Sequence, residues 1–167
     1  RARFDNEPEA VLGFLQSLGF ERYFQMLHMW QDLNELPDAL PHPSLPSGLT
    51  LTTLAAEGMS EQTLRKLYEL RNHFFADIPS TDPFVAAPYE LFQNEMQDPL
   101  ILPDFFFIAN QGERYVGMSY AARLADDPTR LGVRHTGVLR EFRRQGLATA
   151  LKWPISAYAR AHGYRWV

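Results

Sequence analysis

The sequence predicts an α/β fold, a mixed, mostly antiparallel sheet flanked by helices. Three observations carry that prediction. Two strand-like runs, 104–110 and 114–124, flank the tight-turn tripeptide Gln111-Gly112-Glu113, the pattern of an antiparallel hairpin. A third strand-like run, 132–138, is followed by helical spacing and then by the start of another strand at 164–167, which makes a βαβ unit. From residue 49 the order therefore reads β–α–α–β–β–β–α–β, and a doubly wound parallel sheet does not produce that order.

Each element has its own signal. Val11, Leu12, Phe14, Leu15 and Leu18 form an i, i+3, i+4, i+7 stripe, so 7–18 is expected to be a helix, opened by Pro8 and closed by Gly19. The aromatic-rich run 20–30 reads as a strand. Four of the twelve prolines then fall within 34–48, the composition of a linker. Residues 49–56 read as a short strand. Ser60 is placed to cap a helix running to Asp77, with Leu64, Leu67, Leu70 and Phe74 on one side. Pro88 opens a shorter helix through Met96. Leu147, Leu151, Ile155, Tyr158 and His162 keep helical spacing up to Gly163. Pro154, inside that helix, is expected to kink it or to remove a hydrogen bond, because proline has no N–H to donate.

Bulk composition bounds the function. A chain of 167 residues with 46% hydrophobic and 22% charged residues is ordinary for a globular protein. A net charge of −4 argues against a nucleic-acid binder, so any positive patch must be local. There are no cysteines, which excludes disulfides and thiolate metal sites and suits a cytoplasmic location. The richest apolar run, 100–109, is broken by Pro103 and Asp104 and is too short to span a membrane. The N-terminus carries no apolar signal segment. His28, His42, His73, His135 and His162 show no metal-ligand spacing. Trp30, Trp153 and Trp166 read as packing groups, and Phe105, Phe106 and Phe107 as a buried strand.

The stretch 136–151, TGVLREFRRQGLATAL, carries the chemistry. Gly146 stands where strand gives way to helix. The first N–H groups of a helix have no internal partners and carry partial positive charge. Small residues at Gly146, Ala148 and Thr149 let an anion approach them, and Arg143 and Arg144 add full charge at the rim, so the expected ligand is a diphosphate. A P-loop would need a lysine directly after the glycine, and a dinucleotide fingerprint would need two more glycines. What remains is R-x-x-G-x-A, Arg143 to Ala148, after a strand.

That pattern, in that place, resembles motif A of the GCN5-related N-acetyltransferases, whose signature is [QR]-x-x-G-x-[GA] between the fourth strand and the third helix. The resemblance covers about residues 49–167. It implies an acyl-CoA N-acyltransferase fold incomplete at its C-terminus, with acetyl-CoA as co-substrate. It also implies transfer of the acetyl group to a primary amine of a small molecule or peptide. The backbone of Thr136, Gly137 and Val138 would pair with the pantetheine arm, and the Val138 amide would polarise the thioester carbonyl. The amides of Arg143, Arg144, Gln145, Gly146, Leu147, Ala148 and Thr149 would hold the pyrophosphate. A general base is expected on the central strands. Tyr120, Ser119 and Glu141 are weak candidates, which read more readily as a core tyrosine, a structural hydroxyl and a solvated charge. The family's proton-donating tyrosine would lie beyond Val167, and its acceptor loops would fall near 76–100.

The N-terminal FLQSLGFERYF resembles the end of such a domain, so the whole is similar to tandem acetyltransferases of the mycothiol synthase type. Residues 1–33 would then be the tail of a preceding domain, 34–48 a linker, and 49–167 most of the next domain. Alternatively, 1–33 completes the second domain's sheet as a permuted complement. A further alternative is a catalytically inactive coenzyme-A-binding or structural half of a tandem enzyme.

Overall fold

The computed structural model describes residues 9–22, 29–37, 43–78 and 83–167. Helix α1 (Glu9–Ser17) is followed by a 3-10 turn (Leu33–Glu35), strand β1 (Thr50–Thr53) and the short helix α2 (Leu54–Glu57). Helices α3 (Glu61–Phe75) and α4 (Tyr89–Met96) lead into strands β2 (Ile101–Gln111), β3 (Arg114–Arg123) and β4 (Leu131–Val138). A second 3-10 turn (Arg140–Phe142) and helix α5 (Leu147–Ala161) complete the order.

The four strands lie in sequence order, every neighbouring pair antiparallel. This is the mixed α/β, mostly antiparallel architecture expected, with helices on both faces. One face carries α3, whose Phe74 ring lies over Gly137 so closely that an added Cβ would sit 2.1 Å from it. The opposite face carries α5, with Leu151 against Gly117. Because strand side chains alternate, Phe106 and Tyr120 share the α3 face, their rings stacked at 4.5 Å. Phe105 turns the other way, edge-on to Tyr158 of α5 at 4.7 Å. Coverage on both faces explains why residues 105–109 of β2 read as an unbroken apolar run, and all three phenylalanines are buried.

Local sequence accounts for the helix starts. The Ser60 Oγ accepts the Thr63 N–H at 3.1 Å, the cap expected for α3. Thr53 caps α2 in the same way, its Oγ1 accepting the Ala56 N–H. That cap corrects the strand expected over 49–56: β1 stops at Thr53, and Leu54 begins a helix whose side chain is buried in the core. α5 runs as a single element through Pro154, which removes only one backbone donor.

At the other end of the sheet, Trp166 bridges Arg130 in parallel and Asp32 in antiparallel fashion. The Gln31 and Leu33 amides donate to Val167 and Arg165 carbonyls at 2.7 and 2.8 Å, and the Val167 amide returns to Gln31. Leu33 is fully buried in the same core as β2–β4. α1 and its closing Gly19 lie as expected. Most of the strand expected over 20–30 and part of the 34–48 linker lie outside the described residues.

Candidate functional site

β4 leads the chain to the glycine turn. The Leu139 amide donates to the Val116 carbonyl of β3 at 2.9 Å. In an antiparallel ladder this orientation alternates, so the Gly137 amide also faces β3, whereas the Thr136 and Val138 amides face the outer edge. That edge pairs with Trp166 through Arg130 and Leu131. Beyond Leu131, no strand among the described residues covers it.

The turn itself is built from two left-handed residues, Arg144 at φ 61° and Gly146 at φ 79°. Gly146 is the N-cap of α5, and no side chain caps the helix. Nothing lies within 4 Å of the place a Cβ would take at Gly146, so the turn is open as well as permissive. Among the described residues the Arg144, Gln145 and Gly146 amides donate to no backbone carbonyl. Ala148 and Thr149 are exposed, while Leu147 anchors the first turn in the core. The arrangement is a cluster of amides at a positive helix end, the geometry of an anion site.

Arg143 is exposed beside the turn and is held by local partners. Its amide donates to Arg140, its Nε to the Val138 carbonyl at 2.9 Å, and its guanidinium pairs with Asp77. Asp77, just past α3, also pairs with Arg140. The hydrogen bonds from Arg140 and then Arg143 hold the Asp77 carboxyl far below the usual carboxylate range. Asp77 thereby ties the end of α3 to the turn, while Arg140, Arg143 and Arg144 all remain exposed.

The base candidates fall into different surroundings. Ser119 is fully buried, its Oγ paired with the Thr136 Oγ1 at 2.8 Å. Glu141 is exposed and paired with Arg114 at 2.7 Å; its own backbone N–H and Arg114 lower its pKa. Tyr120 is 1% exposed and donates its hydroxyl to Glu95 Oε1 at 2.9 Å. Burial, followed by the neighbouring Glu95, raises its phenol far above the usual range. It therefore orients the carboxylate and keeps its own proton.

Around Tyr120 the fold gathers three residues that the sequence did not flag. Glu95 of α4 accepts from Arg71 of α3 at 2.7 Å, and His135 of β4 lies opposite Tyr120. Phe75 meets the His135 ring edge-on at 4.7 Å. One legible signal existed: Arg71 occupies the same stripe as Leu64, Leu67 and Phe74, where a charge does not belong without a partner. Its partner lies on another helix, so the sequence could not name it.

The comparisons agree with this geometry. The sequence profile of the acetyltransferase (GNAT) family matches residues 64–167, well over half of the chain and including both β4 and the turn. Among solved structures, the GCN5-related N-acetyltransferase from Sphaerobacter thermophilus superposes with a TM-score of 0.61 at 22% identity. That match covers 83% of this chain but only 39% of the Sphaerobacter protein, so this chain spans well under half of that relative's length. An aminoglycoside acetyltransferase from an uncultured soil metagenomic sample, in complex with sisomicin, superposes with a TM-score of 0.52 at 18% identity. That match covers 71% of this chain and 74% of that one. Among curated proteins no sequence matches the chain. At these identities the structures speak for the fold, and the sequence profile speaks for descent: the chain belongs to the GNAT acetyltransferase family.

Proposed function

We propose that the chain binds acetyl-CoA and transfers its acetyl group to a primary amine. The observation that carries this reading is the left-handed turn at Gly146, which leaves the start of α5 uncapped directly after the open edge of β4. The residues present fit the group. Unpartnered amides from Arg144 to Gly146 and the first turn through Thr149 suit a pyrophosphate. The outward amides of Thr136 and Val138 suit a pantetheine arm lying as an added strand. When bound, acetyl-CoA supplies an acyl group activated as a thioester. The chain's own contribution is to orient it through β4 and to polarise its carbonyl through the Val138 amide. The amine must lose its extra proton before it attacks, since an ammonium has no lone pair to attack with.

Several finer points belong to the same reading. The hydrogen bonds joining Gln31–Leu33 to Arg165–Val167 support the N-terminal segment as a complement to this sheet, over its being the tail of a separate domain. Among the described residues no helix is long and apolar enough to cross a membrane.

Calorimetry with acetyl-CoA and a thiol assay across a panel of amines test the proposal. Stoichiometric binding with thiol release supports it. Binding without release from any amine favours the inactive coenzyme-A-binding module, and absence of binding overturns both.

A further inference from the structure

We infer that the cavity between α3, α4 and β4 receives the acceptor amine, with Glu95 holding its ammonium group and His135 taking the proton. This rests on the acyl-transfer reading above. The cavity has a volume of about 220 Å³, with Phe75, Phe84, Leu91 and Phe92 as its apolar walls. Arg71, Asn72, Glu95 and His135 are its polar lining. This is smaller than the several hundred cubic ångströms that enclose a whole drug-sized ligand, so it suits one arm of a substrate.

Three features point to an amine. Glu95 is fixed from two sides, by Arg71 at 2.7 Å and by the Tyr120 hydroxyl at 2.9 Å, yet its side chain is 38% exposed. Each carboxylate oxygen keeps a free lone pair, so a held anion faces a space with largely apolar walls. The Arg71 side chain is only 7% exposed and lies over the Phe92 ring at 4.4 Å. This cation cannot swing away, and it disfavours acceptors carrying several positive charges. His135 touches Phe75 and Tyr120 through ring edges, and its ring makes no hydrogen bond among the described residues. Its acceptor nitrogen is therefore uncommitted. The expected substrate is a primary amine on a short apolar or aromatic arm.

The charged and titratable groups around His135 are Arg71 from α3, Glu95 from α4, Tyr120 from β3 and Arg134 on its own strand. Burial dominates and lowers its pKa; Arg71 and Arg134 push the same way, and Glu95 opposes them. The imidazole is thus neutral near pH 7 and able to accept a proton. His135 stands three residues before Val138, about 10 Å along the strand, a gap that the length of the imidazole side chain and a chain of bridging water span. The balance is simple. The ammonium gives one proton to His135, and the freed nitrogen pair forms a C–N bond to the acetyl carbon. The C–S bond breaks toward sulfur, and the thiolate takes the second proton lost by the nitrogen. His135 returns its own proton to solvent.

The test uses the full chain, 2-phenylethylamine as probe, and the variants Glu95→Gln and His135→Gln. Acetyl-CoA binding by calorimetry should be the same in all three proteins; its absence in the wild type sinks the acyl-transfer reading alone. Independently of turnover, NMR signals of the His135 ring should shift on adding the amine to the wild type and stay still in Glu95→Gln. Thiol release should fall by about a hundredfold in His135→Gln, and the acid limb of the wild-type pH profile should vanish. A ring signal indifferent to the amine overturns the pocket assignment. A wild type that binds both partners without releasing thiol overturns the proton transfer, as does a His135→Gln variant that keeps its rate and acid limb.

Discussion

The glycine turn follows the end of β4, the Arg71–Glu95–His135 cavity lies beside its middle, and the two are made of different materials. The turn uses backbone amides from a handful of consecutive residues, and its side chains matter mostly by being small. The cavity uses side chains from three elements spread between Arg71 and His135, and its backbone matters little. A backbone site tolerates change in the side chains pointing away from it but not a change in conformation. A side-chain site is the reverse. β4 serves both, and α3 reaches both, sending Arg71 to one and Asp77 to the other.

The sharpest way to break this contrast is Gly146→Asp. A side chain at φ 79° is strained, and its charge would oppose a phosphate. Acetyl-CoA binding should therefore weaken by about a hundredfold in calorimetry, while the cavity residues stay in place. Retained affinity would mean that the helix end is not the anchor. Next in size is Arg71→Met, which keeps an apolar stem over Phe92 but leaves Glu95 without its guanidinium. Urea unfolding should show a loss of about 2 kcal/mol, with acetyl-CoA affinity unchanged. A drop in that affinity would show that the two regions are coupled through α3.

Gly137→Ala probes the strand they share. An added methyl would fall against the Phe74 ring, and overpacking of this kind costs about 2 kcal/mol. Phe74→Leu in the same chain should recover part of the loss, since the ring is the obstacle. The smallest effect concerns pH. The His135 pKa is lowered in the folded protein, so the unfolded chain binds more protons once pH drops below the ordinary histidine value. Stability should therefore be full above about pH 6.5 and decline as pH falls further. In His135→Gln that slope should flatten in urea titrations run between about pH 7.5 and about pH 5.5. An unchanged slope would assign the acid sensitivity elsewhere.

What could be read in advance follows the same division. The hairpin around Gly112, the Ser60 cap and the Gly146 turn are all local, because a turn or a cap needs only a few neighbouring residues to define it. The end of β1 was misjudged by local reasoning alone: threonine favours strands and also caps helices, and Leu54 went to the core through a helix. Tyr120 was singled out for its strand position, yet its role depends on Glu95, a residue 25 positions away in another element.

By itself, then, the sequence determined the order of β1 to β4 and of α3 to α5, though not the short α2, together with the mostly antiparallel sheet and the glycine at which α5 starts. Those depend on periodicity, propensity and backbone freedom, which act over short spans of chain. Only the tertiary structure decided that Arg143 is bound to Asp77 and that Arg71 and Glu95 are partners. It alone also decided that His135 stands beside them in an apolar recess. Pairing of distant charges and the loss of water around an imidazole are set by how helices settle on a sheet, and no single stretch of residues carries that information.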